Sequence, residues 1–133
     1  MPGITVNEGL SYFGNVLYKG ATQENLTLGL FTNAAGTLTE TSAWAAVTQP
    51  SGTGYAEITL VQGTFVVSAD GTVTYPQQQW TATADWTGGD IQGYYIRNNN
   101  GTPVLVHVQE RDSGGFPMTT GRIYTVDLSV DSS

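Results

Sequence analysis

Between Leu26 and Val130 the chain alternates apolar and polar residues with a period of two, in short runs broken by glycine, asparagine and aspartate. That period places successive side chains on opposite faces of an extended strand. Leu26, Leu28 and Leu30 alternate with Thr27, Gly29 and Phe31, and a second run covers Tyr55 to Val61. Thr64 to Ser68 and Thr72 to Tyr75 flank Ala69-Asp70-Gly71, a tight-turn sequence. From Gln77 to Ala84, Trp80, Ala82 and Ala84 share one face, and Gln79, Thr81 and Thr83 the other. Ile91 to Arg97 and Thr102 to Glu110 are joined by Asn98-Asn99-Asn100-Gly101, a hairpin signal. The second arm sets Val104, Val106 and Val108 on one face and Leu105, His107 and Gln109 on the other. The last run, Arg122 to Val130, turns Tyr124, Val126, Leu128 and Val130 inward. About eight short strands with frequent turns predict an all-β fold, a single β-sandwich of jelly-roll type, with a closed barrel as the alternative.

Only the N-terminal stretch has another period. Leu10, Phe13, Gly14, Leu17 and Tyr18 recur at helical spacing, which predicts one short helix at about residues 8–18. Asn7 suits its N-cap and Gly20 its C-terminal end. Gly9 and Gly14 each cost about 1 kcal/mol relative to alanine, so this helix needs something to pack against. Residues 1–6 read as an N-terminal arm and 7–133 as one domain, with no internal repeat and no break in composition. Residues 33–53 are small and polar, a long loop with Trp44 and Val47 as anchors.

Composition narrows the function. The net charge is −7, and the cations Lys19, Arg97, Arg111 and Arg122 are scattered, which argues against a nucleic-acid partner. Without cysteine there is no disulfide, thiolate zinc site or thiol nucleophile. No basic-then-apolar leader and no apolar run of roughly 20 residues is present, so neither a classical export signal nor a membrane helix is expected.

Candidate chemistry is sparse. His107 is the only histidine, so any histidine metal site or Ser–His–Asp triad would have to be built on it. It reads instead as a surface or interface residue. Ser11, Ser42, Ser51, Ser68 and Ser113 lack the G-x-S-x-G context of a nucleophile elbow. Asp85 and Asp90 bracket Trp86-Thr87-Gly88-Gly89. This is a polar turn with aspartate capping backbone N–H groups, a calcium loop, or a carboxylate pair at a sugar cleft. No catalytic residue, cofactor or metal is expected. Trp44 and Trp86 lie in loops, where they suit sugar stacking or a protein contact equally.

Asn25 to Asn33 (NLTLGLFTN), Tyr55 to Leu60 (YAEITL) with Tyr75 to Thr81 (YPQQQWT), and Ile91 to Ile96 (IQGYYI) follow one another along the chain. In this order they resemble small β-sandwich virion proteins of tailed bacteriophages, over roughly residues 7–130. The resemblance implies a virion component without enzymatic activity, made in the host cytoplasm and placed on the capsid surface. There it would be a decoration or cement protein, homotrimeric and bound to the major capsid protein. A tail or fibre component is the alternative within that class, and a carbohydrate-binding module using Trp44 and Trp86 the alternative outside it. The matching positions are core and turn residues, so no functional residue transfers. Candidate shell or subunit contacts come from the chain itself: Ile4 and Val6 in the arm, Trp44, and Phe116 and Met118 in a glycine-flanked loop.

Overall fold

The structure, a computed structural model, describes residues 4–5, 26–39, 41–61, 64–67, 69, 72–98 and 104–131. Val6 and the helix expected at about 8–18 lie outside the described residues. In chain order the strands are β1 (Ile4–Thr5), β2 (Leu26–Phe31), β3 (Ile58–Leu60), β4 (Val66–Val67), β5 (Thr72–Thr81), β6 (Gly93–Asn98), β7 (Leu105–Glu110) and β8 (Ile123–Asp131). They form a five-stranded sheet, β1-β7-β6-β2-β3, and a three-stranded sheet, β4-β5-β8. Every pairing is antiparallel. Leu28, Leu30, Ile96 and Val106 of the larger sheet share one core with Trp80, Tyr124, Val126 and Leu128 of the smaller. The expected all-β sandwich is what the chain forms. The described residues include no helix long and apolar enough to cross a membrane.

The alternation of β2 predicts one buried face, yet Thr27, Gly29 and Phe31 are buried along with Leu28 and Leu30. The reason lies in the layers. β2 runs between β6 and β3, with the small sheet on its inner side. On its outer side the loop after β2 folds back, bringing Leu38, Trp44 and Val47 against Phe31, Tyr95, Leu105 and Val108. A strand covered on both faces needs apolar or compact residues at every position. The loop contains only one short 3₁₀ turn, Trp44–Ala46.

β7 departs further from its predicted faces. Ile96 pairs with His107 but Arg97 pairs with Leu105, which leaves Val106 as an extra, bulged residue. One extra residue reverses the faces beyond it. Leu105 therefore joins Val108 in the outer cluster, while Val106 joins the inner one. His107 stays on the inner side opposite Ile96, with its ring 6.2 Å from that of Tyr94. The expectation of a surface or interface histidine is corrected: His107 is 4% exposed.

Two strands end early for local reasons. β3 starts at Ile58 rather than Tyr55, and the Tyr55 hydroxyl instead accepts a hydrogen bond from the Leu30 backbone N–H at 3.2 Å. The side chain thus replaces a stretch of strand. β5 stops at Thr81, so Ala84 lies beyond it and is exposed, although Trp80 and Ala82 are buried as expected.

Trp80 pairs across the sheet with Tyr124 and donates from Nε1 to the Ala56 carbonyl at 2.8 Å. Trp80→Ala removes that bond and opens a large void between the sheets. The substitution is expected to cost about 3–5 kcal/mol, read as a lowered urea midpoint with unchanged slope.

Candidate functional site

The densest group of interacting polar side chains sits on the outer face of the five-stranded sheet. Tyr95 and Arg97 alternate on β6 and project to that face with Phe31 and Leu105. Gly29, opposite Tyr95 on β2, has no side chain because the Tyr95 ring lies across its Cα. The Tyr95 hydroxyl donates to Glu57 Oε2. Arg97 donates to the same carboxylate twice, from Nε at 2.9 Å and from Nη2 at 2.8 Å, and from Nη1 to the Asn98 carbonyl. Trp44 closes the group from the loop, with the Arg97 guanidinium 5.1 Å from its ring centre and Tyr95 at 5.1 Å on a tilted approach.

Electrostatics follow the geometry. Burial alone would raise the Glu57 carboxyl, but the hydrogen bonds from Arg97 and Tyr95 and the Arg97 charge outweigh it and hold it below its usual range. The bidentate bond raises Arg97 further. Burial first, then the neighbouring Tyr55 and Glu57, push the Tyr95 phenol up, so it remains a donor. The Tyr95 hydroxyl, the Glu57 carboxylate and the Arg97 guanidinium are thus paired with one another, and that fixes one geometry for the group. The grouping was missed from the sequence. The signals available were a lone arginine within an apolar strand and Glu57, the sole acid between Glu40 and Asp70. Pairing them requires the fold.

Trp86 belongs elsewhere. Its ring meets Tyr55 edge-on at 5.4 Å, packs against the inner core and donates from Nε1 to the Thr53 carbonyl at 2.9 Å. Trp44 and Trp86 are both half-buried and lie on opposite sides of the five-stranded sheet, so they share no platform. In the loop between Trp86 and β6, Gly88 and Gly89 both have left-handed backbone, with φ of 95° and 105°. Asp85 caps this corner: its Oδ1 accepts from the Thr120 N–H at 2.8 Å and hydroxyl at 3.0 Å. Those bonds keep its carboxyl below the usual range. Asp85 thus caps a backbone N–H, but in the loop before β8, 35 residues on, rather than within its own turn. No cluster of three or more metal-ligating side chains occurs among the described residues.

The remaining contact candidates separate. Ile4 falls in β1, paired with Val108. Met118 is buried in the core, at 4% exposure, so it presents no surface to a partner, contrary to expectation. Its loop is held down by the Trp86 N–H to the Met118 carbonyl and by a two-way bridge between Phe116 and Ile91. Phe116 is half-buried against Tyr124, with Arg111 at 5.0 Å and Arg122 at 4.4 Å from its ring centre. Two cations that read as scattered are therefore brought to one ring. The large apolar side chains most exposed among the described residues are instead Val61, Val66 and Ile123, at 50%, 59% and 51%.

His107 joins none of these groups. Neither ring nitrogen has a hydrogen-bond partner, so no triad is assembled on it among the described residues. Burial pushes its pKa down to about 4, and Gln109 opposes the fall in part. No protein-family model, no curated protein and no solved structure matches the chain.

Glu57→Gln retains the shape of the outer-face group but leaves the Arg97 charge, 16% exposed, without its counter-ion. We expect a loss of about 1–3 kcal/mol in urea unfolding, with Tyr95→Phe costing less. An unchanged midpoint for Glu57→Gln would show that the pair contributes nothing net.

Proposed function

We propose that the protein is a non-enzymatic structural component of a tailed-phage virion, a homotrimeric jelly-roll-type sandwich that decorates the outside of the capsid and binds its major protein. The observation that carries this reading is the side of the sandwich formed by β3 and β4. Each is an edge strand of its sheet, and they follow one another along the chain. From Ile58 to Ala69 there is no charged residue and no proline. Val61 and Val66 stand half or more exposed there. Edges of soluble monomers are ordinarily guarded by lysine, proline or a covering segment. A neutral edge with exposed valines is what a subunit would cover on assembly, and a closed ring covers every copy of it at once.

The broad surface supports the same reading. Gln79, Thr81 and Thr125 lie exposed on the small sheet's outer face, and Gln77 holds Asp127 at 2.9 Å. Such a face makes many weak polar contacts, and three linked copies would engage a shell together through effective concentration. Trp44 and Phe116, both half-buried, remain as contact residues on this proposal.

Val66→Asp tests it, because an exposed position changes the fold's own stability by roughly 0.5 kcal/mol or less. The expected result is an unchanged far-ultraviolet spectrum together with loss of the trimer in light scattering and loss of binding to empty shells. Imaging particles with and without the protein should add density on the capsid surface. Density confined to the tail would move the assignment to a tail or fibre component. A monomer at high concentration that binds no shells would overturn the proposal and bring a glycan-binding assay to the fore.

A further inference from the structure

His107 is nearly fully buried, lies on the inner face, and has no partner for either ring nitrogen. Its position along the sheet is equally specific. β7 is flanked by β6 on one side and by β1 on the other, and β1 is two residues long. Thr5 of β1 is the register partner of His107, and Ile4 that of Val108. The backbone of β1 therefore runs alongside β7 at the usual strand spacing of about 4.8 Å. Among the described residues β1 is the outermost strand on that side.

The surroundings offer an imidazolium little compensation beyond Gln109. From β6, Ile96 stands opposite and Tyr94 beside the ring. From β7 itself, Gln109 is near, while the Glu110 carboxylate is taken up on the outer side by the Gly36 N–H at 2.9 Å. From β8, Tyr124 interacts electrostatically with Tyr94 and carries the Arg111 guanidinium 5.7 Å from its ring. A protonated His107 must reach water, and among the described residues two openings would let it: separating the sheets, or lifting β1. Separating the sheets exposes Trp80, Ile96, Val106 and the rest of the core. Lifting β1 breaks a two-residue pairing at an edge, the kind of local opening that costs least.

The geometry points to an acid-sensitive latch: protonation of His107 releases the N-terminal strand β1 from β7 while the sandwich stays folded. The linkage has a definite sign. With β1 released, His107 titrates near its ordinary value of 6.5, whereas in the docked form burial holds it at about 4. Docking is therefore fully favoured above pH 6.5 and weakens as pH falls toward 4. Each pH unit in that window raises the ratio of released to docked strand by up to about tenfold. The inference stands on the fold alone and is independent of the virion proposal.

The absence of cysteine makes the test direct, since Gly3→Cys introduces a unique labelling site. A fluorophore there should lose anisotropy between pH 6.5 and 4, while far-ultraviolet circular dichroism stays constant. In His107→Leu, or in His107→Gln should the leucine variant not fold, the anisotropy should be flat across the window. With a single imidazole in the chain, its NMR resonance is unambiguous, and its midpoint should coincide with that of the label. A flat wild-type profile, a fall shared by the histidine variants, or a fall that coincides with loss of the circular dichroism signal would each overturn the latch.

Discussion

Two-sided burial of the five-stranded sheet is the constraint on which the rest depends. A sheet of this kind loses its outer backbone and side chains from water only if something covers them, and the small sheet covers one side alone. The loop after β2 supplies part of the other cover, through Leu38, Trp44 and Val47. That is why a polar stretch of small residues behaves as a third layer rather than as a free loop. It also explains why Thr27 and Phe31 are buried in a strand whose alternation allots them to solvent.

Covering a sheet with a loop brings polar groups inside with it. The loop and the approach to β3 carry Trp44 and Glu57, and β6 carries Tyr95 and Arg97. Their mutual hydrogen bonds satisfy the charges that burial would otherwise penalise. Gly29 makes the arrangement possible, because any side chain there would occupy the space of the Tyr95 ring. Packing and polar satisfaction are thus one device, and a ligand would have to compete with a carboxylate already held by three donors. The group reads better as the lock of the outer layer than as an open binding site, which directs attention to the edges.

At the edges the two ends of the large sheet differ. β3 is short because Tyr55 takes over its hydrogen bond, and it leads directly into β4 across the uncharged stretch with Val61 and Val66. That side is the one at which the proposed assembly would place a partner. The opposite end is closed by β1, behind which His107 sits without a hydrogen bond. One end thus carries exposed valines, and the other a two-residue strand paired beside a buried histidine.

Strand periodicity determined the fold class, the antiparallel pairing of β4 with β5 and of β6 with β7, and the burial of Trp80, Tyr124, Val126 and Leu128. These depend on neighbours close in sequence, through a period of two and the turn chemistry between runs. Tertiary structure alone decided the faces of β7, because a single bulged residue, Val106, reverses them and leaves no mark in the alternation. It decided the fate of Met118, whose glycine-flanked loop is indistinguishable in sequence from an exposed one. It also brought Glu57 to Arg97, and Arg111 and Arg122 to Phe116, across separations that no local pattern encodes. Local alternation specifies which residues prefer to be buried; which face is covered, and by what, is set by the layers that pack upon it.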